Sequence, residues 1–147
     1  MFVHARRWSV VVATLAGAAV ACKKAPPPPP PAAPPAAVPL SVSGVTVGKA
    51  VGADKSVAQS LTTFGTKDTI YASVATVGTA SSATLAAVWT FQTGQVVKAD
   101  SQSIAPTGPA HTEFHISKPS GWPVGKYKVS VSLNGAPAGA QDFEVKR

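Results

Sequence analysis

Between residues 126 and 133 the side chains alternate, with Tyr127, Val129, Val131 and Leu133 apolar and Lys126, Lys128, Ser130 and Ser132 polar. A period of two marks a strand with one face in a core and the other in water. A second alternating segment places Leu85, Ala87, Trp89 and Phe91 on one face. Trp89, as the largest of these, is the expected centre of the core. Val, Thr, Ser, Ala and Gly, punctuated by turn residues, continue from residue 40 to residue 147. Strands are expected at 41–47, 69–77, 83–92, 95–98, 111–117, 126–133 and 140–145, with a weaker stretch at 57–64. No helical period is sustained and no internal repeat is present, so the fold class is all-β, an antiparallel β-sandwich of seven or eight strands.

The turn after residue 133 sets the register of the last strand. Asn134 and Gly135 suit the positive φ angles of a tight hairpin turn. If Leu133 pairs with Ala136, strict alternation carries Phe143 and Val145 to the wrong face. One additional residue restores them, and a bulge or loose loop is therefore expected near residues 137–139, where proline and glycine are tolerated.

The pattern before residue 40 is of another kind. A basic start with His4, Arg6 and Arg7 leads into an apolar run over residues 8–20, which ends in Ala19, Val20, Ala21 and Cys22. From residue 8 to residue 22 a helix would span about 22 Å, short of the roughly 20 residues that cross a bilayer. Nine of the fifteen residues from 25 to 39 are proline and the rest are Ala and Val. Such a tract has nothing with which to build a core, and it is expected to be a disordered polyproline II tether of about 3.1 Å per residue.

This N-terminal order resembles the signal peptide and lipobox of a bacterial lipoprotein. The resemblance implies cleavage just before Cys22, acylation of its sulfur and a lipid anchor in the cell envelope. A lysine at residue 23 implies the outer membrane in a Gram-negative cell. Ala19 stands where that family usually has leucine. Ala19, Val20 and Ala21 also fit plain secretion through the same scissile bond. The division that follows is a lipoprotein signal peptide at 1–21, a lipidated Cys22 and Pro/Ala-rich linker at 22–39, and a sandwich domain at 40–147.

Within that domain the chain resembles an immunoglobulin-like β-sandwich, which carries a buried Trp on its third strand and a Tyr two residues before its second cysteine. Trp89 and Tyr127 match those places, while Val74 and Val129 stand where the cysteines would be. The resemblance implies that an apolar pair replaces the disulfide, that residues 121–125 form the corner between sheets and that Tyr127 is a tyrosine corner.

Composition narrows the function classes. The chain has 147 residues with 13 basic and 6 acidic side chains. The basic residues beyond the proline tract are scattered and lack interleaved aromatics, so no nucleic-acid partner is expected. Cys22 is the one cysteine, which excludes an internal disulfide and a multi-cysteine metal site. No Gly-x-Ser-x-Gly elbow, His-Glu-x-x-His helix, phosphate loop or dinucleotide fingerprint occurs, and the acidic residues are dispersed. No cofactor and no catalysis are expected.

Two weaker site candidates remain. His111, Glu113 and His115 lie two apart, so a strand points all three to one face, where two imidazoles and a carboxylate suit zinc or copper. The plainer reading is the polar face of a half-buried strand. Trp122 sits in a Gly- and Pro-rich corner, where an exposed ring would stack on a sugar. Its plainer reading is a cap on one end of the core. The expected partners are membrane lipid, through Cys22 acylation, and an envelope protein or cell-wall polymer.

Overall fold

The computed structural model describes residues 38–147. Cys22, the signal segment and the tether up to residue 37 lie outside the described residues. Eight strands form two sheets. The smaller sheet has the order β1-β3-β6, from β1 (Ser41–Gly48), β3 (Ile70–Val77) and β6 (Ala110–Ile116). The larger has the order β2-β8-β7-β4-β5, from β2 (Thr63–Gly65), β8 (Ala136–Lys146), β7 (Gly125–Leu133), β4 (Ala83–Phe91) and β5 (Gln95–Ile104). All pairings are antiparallel except that of β2 with β8.

The two alternating segments become β7 and β4, which lie side by side at the middle of the larger sheet. Leu85, Ala87 and Trp89 from β4 and Tyr127, Val129 and Val131 from β7 are all buried. The facing sheet supplies Val47, Ile70, Ala72, Val74, Phe114 and Ile116. Val74 and Val129 are both fully buried, one in each sheet, as expected of apolar residues in the two cysteine places.

The expected bulge is present. Leu133 pairs with Ala136 and Ser132 with Pro137, but Val131 pairs with Gly139, which leaves Ala138 as the extra residue. Tyr127 is thereby opposite Phe143, and Phe143 and Val145 turn inward. Phe143 then becomes the hub of an aromatic cluster, stacked on Tyr127 at 5.4 Å and edge-on to Trp89 at 5.8 Å and Phe64 at 5.4 Å. Such pairs add about 0.5–1.5 kcal/mol each beyond area burial.

The corner between sheets also takes its expected form. Residues 117–124 carry the chain from β6 to β7, and the Tyr127 hydroxyl donates to the Pro123 carbonyl at 2.8 Å. Burial pushes the Tyr127 phenol above its ordinary value, so the hydroxyl stays protonated as a donor. Gly125 begins β7 at φ +152, and a Cβ there would meet the Phe91 ring at 2.9 Å. Tyr127→Phe strands the Pro123 carbonyl and is expected to cost about 1–2 kcal/mol. Thermal melting checks this, and an unchanged midpoint would mean that the corner bond contributes nothing.

Several boundaries differ from expectation, among them the start of the last strand, which is Ala136 rather than residue 140. The weak stretch at 57–64 contributes only Thr63–Gly65, because residues 49–62 are a loop folded on itself, with Gly52 donating to Ser56 and Leu61 to Val47. β5 runs on from residue 98 to Ile104. The linker ends earlier than residue 39, since Pro39 bridges Thr79 and the Thr79 amide donates to the Val38 carbonyl at 3.0 Å.

The chain thus enters the sandwich at the pole formed by the β3–β4, β5–β6 and β7–β8 turns. Those turns, residues 78–82, 105–109 and 134–135, contain no charged side chain. Charge gathers toward the opposite pole, where Lys49, Lys67, Asp68, Lys118, Lys146 and Arg147 lie in loops or at strand ends.

Candidate functional site

Trp122 is a core cap. Its side chain is 6% exposed, its Nε1 donates to the Asp68 carbonyl at 3.0 Å, and its ring meets Tyr127 edge-on at 6.2 Å. Its backbone amide donates to the Thr66 carbonyl at 2.7 Å. The structure therefore does not present Trp122 as an exposed stacking platform for a sugar: the residue is 6% exposed and its N–H is taken by the Asp68 carbonyl.

Asp68 holds the turn beneath that ring. Its carboxylate accepts from the Gly65 amide at 2.6 Å and pairs with Lys49 at 2.6 Å. The Lys49 ammonium, followed by the Gly65 amide, favours the ionised form and holds Asp68 below its ordinary 3.8. A depressed carboxylate stabilises the fold above its unfolded value, and that stability is lost as pH falls through the folded value. The melting midpoint is therefore expected to hold down to about pH 4 and to fall below it. Asp68→Asn should cost about 1–2 kcal/mol of stability at neutral pH, lowering the midpoint there, and make the acid decline shallower. Parallel pH profiles for the two proteins would sink this assignment. Asp54, which is lowered chiefly by the Ser56 hydroxyl and then its amide, acts in the same window.

β6 places His111, Glu113 and His115 outward and Thr112, Phe114 and Ile116 in the core, as its alternation requires. The three outward residues do not converge. His115 Nδ1 lies 2.9 Å from Glu113 Oε1, while His111 Nδ1 lies 3.3 Å from the Ser73 hydroxyl on β3. The metal reading of His111, Glu113 and His115 is corrected accordingly. No group of three or more His, Cys, Asp or Glu side chains among the described residues is placed to hold a metal ion.

The carboxylates of the domain have local partners. Besides Asp54 and Asp68, Asp100 pairs with Lys98 at 2.8 Å, Asp142 with Lys128 at 3.5 Å and Glu144 with Lys146 at 3.0 Å. These are solvent-exposed pairs of adjacent strand positions, each worth no more than about 1 kcal/mol. None of them is joined by a histidine and a hydroxyl in the manner of a nucleophilic site.

The largest departure from the sequence picture lies along β5. Its register with β4 puts Lys98, Asp100 and Gln102 opposite Trp89, Ala87 and Leu85, on the inner side of the sheet. These polar residues escape burial because β5 is an edge strand that overhangs β6, the edge of the other sheet. Lys98 Nζ donates to the His115 carbonyl at 3.2 Å, and Gln102 Nε2 donates to the Glu113 carbonyl at 2.6 Å. A seam is left between the two edges. It consists of three adjoining clefts of ≈ 380, 340 and 240 Å³, the first two sharing Lys98 and His115, the second and third sharing Val97, Lys118 and Trp122. Sequence reasoning missed this seam. Its one available signal is that a hairpin at residues 92–94 sets Lys98, Asp100 and Gln102 against inward residues.

Two sheets packed face to face, with a buried Trp, apolar residues in the cysteine places and a tyrosine corner, define an immunoglobulin-like β-sandwich. The fold comparison agrees. An immunoglobulin-like protein from Pseudomonas aeruginosa superimposes with a TM-score of 0.50 at 13% identity, over 76% of this chain and 99% of that one. Two larger proteins contain less similar regions. One is an alkylpurine DNA glycosylase of Pseudomonas fluorescens bound to DNA with an abasic-site analogue, at TM-score 0.49 and 18% identity, over 74% of this chain and 30% of that one. The other is a β-glucosidase of Listeria innocua in complex with glucose, at TM-score 0.46 and 7% identity, over 76% of this chain and 16% of that one. No protein-family model and no curated protein sequence matches the chain.

Proposed function

We propose that this protein is a lipid-anchored lipoprotein of the bacterial cell envelope that presents an immunoglobulin-like binding module on a stiff tether, without catalysis of its own. The observation that carries the reading is the order of the first 39 residues: basic start, apolar run, small residues, Cys22, proline tract. A lone thiol in an oxidising compartment invites unwanted pairing, and a thioether removes it. The proline tract, at about 3.1 Å per residue, would hold the module on the order of 45 Å from its anchor.

The entry pole fits that role. Its turns carry no charge, so the side nearest the attachment makes no electrostatic demand on a lipid headgroup layer. The charged pole and the β5–β6 seam are left for a partner in the envelope, of the outer membrane if the cell is Gram-negative.

Intact mass of the mature amino terminus tests the reading. Loss of residues 1–21 together with the mass of a diacylglyceryl group on Cys22 is the expected result. Cleavage at the same bond with an unmodified Cys22 would turn the protein into a plainly secreted one.

A further inference from the structure

We propose that the outer edge of β6 is a docking site for an extended peptide strand with acidic residues toward its ends. The proposal rests on the reading of the domain as a binding module, and it does not depend on the lipid anchor.

In an antiparallel pair the N–H and C=O of one residue point to the same side. The carbonyls of Glu113 and His115 accept from β5 side chains rather than from β3. Their N–H groups therefore also face the seam, two residues apart, and among the described residues no side chain accepts from them. An extended peptide has carbonyls at that spacing, and a glycan does not repeat acceptors in that way. Lys98 and Gln102 meanwhile stand in for the donors of an absent neighbour strand. Both are long surface side chains, free to swing aside when backbone donors replace them.

The seam also has the required length and charge. β6 is seven residues long, about 23 Å as a strand, and the three clefts follow it toward Trp122 and Pro123. Of its own charged groups, Lys98 is paired with Asp100, and the Glu113 carboxylate is held by the His115 ring at 2.9 Å. Lys55 lines the first cleft and Lys118 lines the second and third, and among the described residues neither is in an ion pair. A peptide acidic toward both ends places its charges against these two ammonium groups. The same edge of β5 is a poorer acceptor, because its inward Lys98 and Asp100 would be desolvated by a further strand.

The test uses the full chain in neutral detergent and a positional library of terminally blocked heptapeptides. Acidic members are expected to be preferred at the end positions, and hydrogen exchange at the Glu113 and His115 amides should slow when the best member is added. A twin of that peptide N-methylated at alternate residues, so that its bonding edge is lost, should bind at least tenfold more weakly. Glu113→Pro removes one seam-facing N–H without touching a bond to β3 and should have the same effect, its fold being checked by melting. Lys55→Glu with Lys118→Glu should invert the charge preference. Slowed exchange along β5 instead of β6, equal binding of the methylated twin, or no heptapeptide slowing exchange at either amide would each overturn the proposal. Binding of a neutral glycan oligomer with no change in those amides would do so as well.

Discussion

Trp89→Ala is expected to bring the domain close to unfolding. Trp89 is fully buried and packs edge-on to Phe143 at 5.8 Å, in the middle of the cluster that joins β4, β7 and β8. Truncation removes the transfer free energy of the indole and leaves a cavity that strands on both sides cannot close, a combined cost of about 3–5 kcal/mol. Domains of this size hold roughly 5–15 kcal/mol in total, so a melting midpoint lower by well over 10 °C is expected. Trp89→Phe should cost much less. The buried Nε1 of Trp89 has no hydrogen-bond partner among the described residues, and its removal strands no acceptor. Melting both variants separates volume from polarity. Equal losses for Ala and Phe would mean that the N–H, and not the packing, is what matters.

Cys22→Ser is expected to release the protein from the membrane fraction altogether while leaving the folded domain unchanged. Acyl chains contribute about 0.8 kcal/mol per buried methylene, whereas each of the flanking Lys23 and Lys24 would add only about 1 kcal/mol against anionic lipid. No helix among the described residues is long and apolar enough to cross a membrane. Fractionation of cells carrying the variant, with melting of the released protein, measures both halves of the statement. A membrane-bound Cys22→Ser protein would place the anchor elsewhere and would remove the basis of the proposed function. The peptide-docking site would stand or fall separately, since its readout is amide exchange on β6.

Much of the sandwich was legible from local pattern because its central strands are half-buried and alternate. β4 and β7 follow from Leu85 to Phe91 and from Tyr127 to Leu133, and even the bulge at Ala138 follows from requiring Phe143 and Val145 to face inward. The tyrosine corner, which the resemblance to known sandwiches implied for Tyr127, is present in the bond from its hydroxyl to the Pro123 carbonyl. Resemblance to known sandwiches supplied the paired roles of Val74 and Val129, which no local pattern announces.

The site was less legible, for a physical reason. Alternation reports burial, and an edge strand that overhangs its facing sheet is wet on both faces. β5 therefore shows no alternation beyond residue 98, and its last six residues resembled a loop. Trp122 and the row of His111, Glu113 and His115 erred in the opposite direction. Residue type made them candidates, but the type of a side chain does not say whether its neighbours have already used its faces and hydrogen bonds.

By itself, then, the sequence determined the fold class, the strands at the centre of each sheet, the register of the last hairpin and the expectation of a lipidated Cys22, because each depends on residues close together in the chain. Only the tertiary structure decided that Trp122 closes the core over Asp68, that Glu113 and His115 pair while His111 turns to Ser73, and that β5 and β6 leave a seam between them. Those outcomes depend on which sheet edge overhangs which, and that is settled by contacts between residues tens of positions apart.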